Sequence, residues 1–173
     1  NGNKTITTGA GGAILTNNTT FAKKLKHITT TAKIRHKWEF MHDKIGYNYR
    51  MPNISAAIGL AQLENINSLI DKKRNLHKKY SKNFENNEYV ELFSEKNGCL
   101  SNYWFNSIIL KEKFTHLKNN ILEDLNNNNI GSRPCWELMH KLPYCKNFPK
   151  MDMSGSEEIY NKIINIPSSA NIL

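Results

Sequence analysis

Between residues 5 and 16 (TITTGAGGAILT), β-branched side chains flank the cluster Gly9-Ala10-Gly11-Gly12. This pattern predicts two short strands joined by a tight glycine turn. From Thr19 onward, Phe21, Ala22 and Leu25 stand among lysines at helical spacing, which predicts a short amphipathic helix over 19–27 capped by Thr19 or Thr20. The next stretch, 29–52, sustains neither period. Helical spacing returns over 53–84, with Asn53 or Ser55 as N-cap and with Ile54, Ile58, Ala61, Leu63, Ile66, Leu69 and Ile70 marking the side expected to be buried. Asn65 and Asn67 predict a bend or break in it. The later charges, Asp71-Lys72-Lys73-Arg74 and Lys78-Lys79, read as a solvated face.

Residues 103–110 (YWFNSIIL) form a strand candidate, and Phe114, Leu117, Ile121 and Leu125 predict a helix that the asparagine run 126–129 and Gly131 terminate. A segment rich in Pro, Trp and His over 133–149 follows, then a helix over 156–164 with Ser154 or Ser156 as cap. Alternating strand and helix without an internal repeat predicts a small α/β domain after the long helix.

Composition narrows the class more than the function. The 173 residues suffice for one sizeable domain or two small ones, and the apolar fraction of 39% is that of a globular chain. No apolar run approaches the ~20 residues of a membrane-spanning helix, and the start of the chain has neither the charged nor the apolar region of a signal peptide. A cytoplasmic, non-membrane protein is the expectation. Cys99, Cys135 and Cys145 are too widely spaced for a metal clip and odd in number for a disulfide framework, so reduced thiols are expected. The formal charge of +9 is spread over many lysines in a chain also rich in asparagine. No nucleic-acid motif accompanies it, so nucleic acid is not expected as a partner.

Site chemistry concentrates in irregular stretches, where scaffolds commonly carry function. The residues 29–52 hold His36, Trp38, His42, Asn48 and Arg50; the later segment holds Arg133, Trp136 and His140. His36 and His42 lack a third ligand at a familiar spacing, so no metal site is expected. Taken alone, Lys4 before a glycine turn is a surface lysine beside a hairpin. Three motifs in order change that: Asn1-Gly2-Asn3-Lys4 leading into TITTGAGG, Gly46-Tyr47-Asn48-Tyr49-Arg50-Met51-Pro52, and Ala56-Ala57-Ile58-Gly59-Leu60-Ala61-Gln62-Leu63-Glu64.

This combination resembles the DegT/DnrJ/EryC1/StrS sugar aminotransferases, fold-type I enzymes that use pyridoxal 5'-phosphate. The resemblance extends to the run from Ile130-Gly131 through Arg133-Pro134, Trp136 and His140, with Asn129 where a glycine is usual, and to Ile166-Pro167-Ser168-Ser169. Residues 29–50 most resemble the branch of legionaminic-acid-type pathways. The resemblance implies an α/β fold: the C-terminal part of a large cofactor-binding domain over residues 1–64 with the Schiff-base lysine, and a small C-terminal domain over residues 65–173. A start at Asn1, without methionine and inside a motif, is read as the C-terminal portion of a longer enzyme, inactive alone.

By the same resemblance Lys4 is the catalytic lysine. Its amine would hold the cofactor as an imine and then move a proton. Asn48 would reach the cofactor phosphate of a neighbouring subunit in a homodimer, with Arg50 assisting. His36, Trp38, His42, Arg133, Trp136 and His140 are expected to line the substrate, since a nucleotide sugar offers phosphates and hydroxyls to His and Arg and flat faces to Trp. The implied reaction is amino transfer from glutamate to a nucleotide-linked 4-keto-6-deoxy sugar. A related branch that dehydrates such sugars has histidine at the lysine position, so Lys4 favours transamination. The competing reading is a non-catalytic C-terminal module that binds a partner subunit, because the family's aspartate for the pyridine nitrogen and its ring-stacking aromatic find no match here.

Overall fold

The computed structural model describes residues 2–172, so Asn1, where the first motif begins, lies outside the described residues. The chain divides into two compact units, one ending at Ile66 and the other beginning at Asn67.

In the first unit the expected hairpin does not form. Residues 2–18 run as turns, bends and irregular chain. Gly9 and Gly11 adopt φ of 74° and 107°, a region open to glycine, and local hydroxyls take the backbone bonds that a ladder would need. The Thr8 hydroxyl donates to the Ala10 carbonyl at 2.8 Å, and the Gly9 N–H donates to the Thr7 hydroxyl at 3.1 Å. Two strands alone are marginal in water, so such local competition suffices.

Helix α1, Thr19–Thr29, follows its predicted spacing, but its cap is Asn18 rather than a threonine: Asn18 Oδ1 accepts from the Phe21 N–H at 2.8 Å. Helix α2, Asn53–Glu64, begins after Pro52, whose extended backbone takes the N-cap position, and neither Asn53 nor Ser55 caps it. The expected break falls at Asn65, after which α3, Ile66–Asn83, continues. Ile54, Ile58 and Leu63 do not form a buried side, Ile54 being 78% exposed. The apolar residues of α2 are spread round the helix, Leu63 facing away from Ile54 at 3.6 residues per turn, so they offer no single stripe for a partner element to bury.

The second unit is built on an antiparallel sheet of order β1-β2-β4-β3: Val90–Leu92, Asn106–Leu110, Ile163–Ile166 and Arg133–Pro134 as β1, β2, β4 and β3 in turn. Registers Leu92↔Ile108 and Ile108↔Ile164 put alternate residues on one face. There Val90, Ile108, Leu110, Ile164 and Ile166 form the core, covered by Tyr80 of α3, by Phe84 just after it, and by Ile121 and Leu122 of α4, Lys118–Asn127. The expected helix at 114 begins as a 3-10 turn, Glu112–Leu117, before α4 proper. Asn129 has φ 59°, which explains how asparagine serves where a glycine is usual: it is the side chain that best tolerates the left-handed region. Helix α5, Ser154–Lys162, starts after Met153 without a serine cap and gives way at Ile163 to β4, a strand that the helical spacing of 156–164 concealed.

The charges of α3 are not all solvated. Lys73 is buried, donating to the carbonyls of Trp104 at 3.2 Å and Ser168 at 2.5 Å, and burial lowers its pKa. His77, also buried, bonds Asn106 Oδ1 through Nδ1 at 2.8 Å and stacks on Tyr103 with ring centroids 3.7 Å apart. Arg74 grips Glu95, Nη2 to Oε1 at 2.6 Å and Nη1 to Oε2 at 3.1 Å. The Arg74 guanidinium first, and the Ser101 N–H second, hold the Glu95 carboxyl at about 2, well below the ordinary range.

Candidate active site

Lys4 sits in a run of bends, exposed, with the glycine turn following it. What fixes this segment comes from α2. The Gln62 side chain pairs with both polar groups of one residue: its Oε1 accepts from the Thr7 N–H at 2.9 Å and its Nε2 donates to the Thr7 carbonyl at 2.5 Å. One turn earlier on α2, Gly59 is buried, and a Cβ there would stand 2.8 Å from the Thr8 methyl carbon. Helix and segment therefore meet at two successive points, and a methyl group at Gly59 would push them apart.

The loop 29–52 is irregular, as its lack of period predicts, yet tightly tied. Thr31 N–H donates to the Tyr47 carbonyl at 3.0 Å, Tyr47 N–H to Ile28 at 2.7 Å and Tyr49 N–H to Thr29 at 3.0 Å, so Thr30 and Asn48 form an isolated bridge. Asn48 and Arg50 are both exposed. At the base of the loop Thr31 and Ala32 hold φ of 68° and 50°, an uncommon conformation for a β-branched residue, and Ala32 is fully buried. Gly46 crosses them so closely that a Cβ would stand 2.4 Å from the Thr31 carbonyl carbon.

The two loop histidines present different atoms. His42 Nδ1 donates to the Thr31 carbonyl at 2.7 Å, which leaves Nε2 as the ring atom without a bond to the loop backbone. His36 Nδ1 accepts from the Glu39 N–H at 3.1 Å, which leaves Nε2–H as a donor. Its ring meets Trp38 edge-on at 4.8 Å, and Trp38 is 72% exposed. Asp43 is held by His27 at 2.6 Å, and that hydrogen bond lowers its carboxyl pKa.

In the second unit Arg133 is exposed on β3, paired with Asn165. Trp136, 67% exposed, lies 5.9 Å from Trp104 and 5.8 Å from Phe105, ring to ring. His140 is turned to α5: its Nε2 bonds Glu157 Oε1 at 2.7 Å, and its Nδ1 is buried with no hydrogen-bond partner. The structure thus brings His36 beside Trp38, and groups Trp136 with two aromatics that were read only as part of a strand. The sequence pattern does not single out Gln62, Gly59, Lys73 or Asn106 as site residues either. A signal existed for Gln62, the one amide in the apolar run Ile58-Gly59-Leu60-Ala61-Gln62-Leu63.

Among the described residues no group of three His, Cys, Asp or Glu could hold a metal ion, and no helix is long and apolar enough to cross a membrane. The three cysteines are unpaired, Cys99 exposed and Cys145 buried. For pyridoxal phosphate, the residues present fit two of its needs: an exposed primary amine at Lys4, and exposed N–H donors at Asn48 and Arg50 suited to a phosphate. For the pyridine nitrogen the fit is poor, since Asp43 is engaged by His27 and Glu39 lies 3.7 Å from His36.

Comparison with known proteins identifies the family. Residues 1–172 match the DegT/DnrJ/EryC1/StrS aminotransferase family. The chain is 38% identical over 170 residues to a GDP-perosamine synthase of Escherichia coli O157:H7, covering 96% of this chain and 44% of that protein. It is 25% identical over 166 residues to the UDP-4-amino-4,6-dideoxy-N-acetyl-beta-L-altrosamine transaminase of Campylobacter jejuni, covering 95% and 44%. Among solved structures, Helicobacter pylori PseC, an aminotransferase involved in the biosynthesis of pseudoaminic acid, shares the fold with a TM-score of 0.79 and 24% identity, covering 91% of this chain and 43% of that one. A Streptococcus pneumoniae protein named as a sugar aminotransferase, solved in a PLP-form, does so with a TM-score of 0.75 and 18% identity, covering 91% and 41%. The chain spans less than half the length of the relatives it matches. It belongs to the DegT/DnrJ/EryC1/StrS aminotransferase family, with the α/β fold of that family's C-terminal part.

Proposed function

We propose that the whole protein transfers an amino group, with glutamate as donor, to a nucleotide-linked 4-keto-6-deoxy sugar for cell-surface amino-sugar biosynthesis, with Lys4 as the lysine that holds pyridoxal phosphate. The observation that carries this reading is an exposed lysine on a segment whose position is dictated by α2 through Gln62 and Gly59. The names of the perosamine and altrosamine relatives support the sugar class. Residues 29–50 make the legionaminic-acid-type branch the finer assignment.

Pyridoxal phosphate, when bound, supplies the electron sink. The chain's own residues bind, orient and move protons. Lys4 would hold the group through Nζ and, as a free amine, would carry a proton from the donor carbon to the cofactor carbon. The Asn48 amide and the Arg50 guanidinium would donate to the phosphate of the neighbouring subunit in a cytoplasmic homodimer. Nε2–H of His36 and Nε2 of His42 suit sugar hydroxyls, which both donate and accept, and Trp38, Arg133 and Trp136 offer flat and cationic faces to the nucleotide sugar. His140 serves through its bond to Glu157. Residues 1–64 act as the cofactor-bearing part and residues 65–173 as the small domain.

A second reading, a non-catalytic module that binds a partner subunit, draws on the exposed apolar residues of α2, Ile54, Ile58 and Leu63 among them. One experiment separates them. Pyridoxal phosphate is added to this chain and to a version extended upstream, followed by borohydride reduction and peptide mapping. The extended protein is expected to carry the cofactor on Lys4 and to turn over glutamate with the keto sugar, while this chain alone shows little activity. An extended protein that takes up no cofactor, or that keeps it covalently after Lys4→Ala, defeats the proposal.

A further inference from the structure

A primary amide carries one strong donor face and one strong acceptor face, the same pair that a peptide group presents to a neighbouring strand. Gln62 spends both on a single residue 55 positions away, taking the Thr7 N–H at 2.9 Å and giving to the Thr7 carbonyl at 2.5 Å. A single bond would leave the Thr7 peptide free to rotate about it. Two bonds fix the position and the orientation of the backbone together. Gly59 lies three residues before Gln62 on the same helix, and its missing side chain admits the Thr8 methyl. Helix α2 thus holds residues 7 and 8 at adjacent points, through positions spaced i and i+3 that share one helix face.

Thr7 is three residues from Lys4, a span of at most ~10 Å of extended chain. A reaction at the Lys4 amine tolerates little misplacement of that amine, since effective concentration falls steeply with misalignment. We infer that Gln62 is the positioning residue for Lys4, setting through Thr7 where the lysine amine can stand. This rests on the reading of Lys4 as the cofactor lysine and goes beyond it by naming the group that aims it.

The test uses the upstream-extended protein and three forms of it: unmodified, Gln62→Leu and Gln62→Glu. Hydrogen exchange reports the Thr7 amide and, separately, the amides of α2. Titration with pyridoxal phosphate reports formation of the bond between Lys4 Nζ and the aldehyde carbon, with loss of water. Gln62→Leu is expected to lower Thr7 protection and to weaken cofactor attachment about tenfold, as the loss of one to two hydrogen bonds would, with α2 protection unchanged. Gln62→Glu carries its own control. Ionised, it can accept from the Thr7 N–H but repels the Thr7 carbonyl; protonated, it can donate to that carbonyl again. Its Thr7 protection, relative to the unmodified protein, should therefore recover as pH falls through about 4.3, the ordinary glutamate value. Gln62→Leu should show no such recovery, and a residue that merely filled space would produce none in either variant.

Unchanged Thr7 protection in Gln62→Leu overturns the inference. So does attachment within twofold of the unmodified protein after Thr7 protection is lost. If the unmodified protein forms no bond at Lys4, the proposed function falls, and Gln62 as an aiming group falls with it; the exchange data then decide only whether Gln62 holds Thr7.

Discussion

Gly46 shows how much one absent carbon can decide. A Cβ there would sit 2.4 Å from the Thr31 carbonyl carbon and 2.5 Å from the Ala32 nitrogen, both backbone atoms without rotamers to escape into. Thr31 and Ala32 are already in the left-handed region, so the loop has little room to yield. Gly46→Ala should therefore destabilise the first unit by about 1–3 kcal/mol, the usual range for overpacking, read as a lowered urea midpoint, and should expose the Tyr47 amide to exchange. Gly2→Ala, where a Cβ meets nothing within 4 Å, is the matched control and should change neither. A second residue-scale expectation concerns pH. The Glu95 carboxyl, brought down to about 2 from 4.5 by Arg74 and the Ser101 N–H, is ionised in the folded chain where the unfolded chain would be protonated. Its contribution is complete above 4.5 and lost as pH falls toward about 2. Glu95→Gln should make the second unit less sensitive to acid over that window, measured as urea midpoint against pH. An identical slope in both proteins would assign the acid sensitivity to other carboxylates.

At the scale of elements, the sheet concentrates burial where the strands alternate. Leu110 is 1% exposed and Ile164 fully buried, whereas Leu15 is 92% exposed. Leu110→Ala should cost about 2–5 kcal/mol and Leu15→Ala nearly nothing, compared by urea unfolding of the two variants. The elements also show what the sequence could tell. Helices α1, α4 and α5 and the break at Asn65 followed from apolar spacing and helix breakers, because 3.6-residue periodicity survives in a single chain. Strands β1, β3 and β4 did not, since Val90–Leu92 and Arg133–Pro134 are too short to display a period and Ile163–Ile166 (IINI) prolongs the helical spacing of the residues before it. The hairpin expected over 5–16 failed for a related reason: β-branched residues beside glycines describe a strand's composition, while a strand also needs a partner. Site residues divide similarly. The candidates Lys4, Asn48 and Trp136 lie in motifs, and so does Gln62, but the contacts of Gln62, Lys73 and Asn106 reach partners 55, 95 and 62 positions away, and no local pattern reports those distances.

At the scale of the whole chain, burial is divided unequally. Among the described residues the buried apolar side chains are Ala32 in the first unit and nine others, from Leu76 to Ile166, in the second. Hydrophobic burial is the main favourable term in folding, so the second unit should hold its own stability and the first should hold little. The first unit instead relies on directional contacts: the Gln62–Thr7 pair, the Tyr47 and Thr31 bonds, and the His27–Asp43 pair. Such bonds contribute only about 0.5–1.5 kcal/mol each in net terms and carry little of the heat-capacity signature of apolar burial. Hydrogen exchange on this chain should accordingly find the slowest amides in β2 and β4, near the global unfolding limit, and amides of α2 exchanging orders of magnitude faster despite the helical geometry of both α2 and α3. A fragment of residues 65–173 should keep the cooperative transition and nearly the same urea midpoint as the sheet shows in the full chain. Equal protection in α2 and β2 would mean that the exposed apolar residues of α2 are covered in solution, and sedimentation of the same sample would then show whether a second copy covers them.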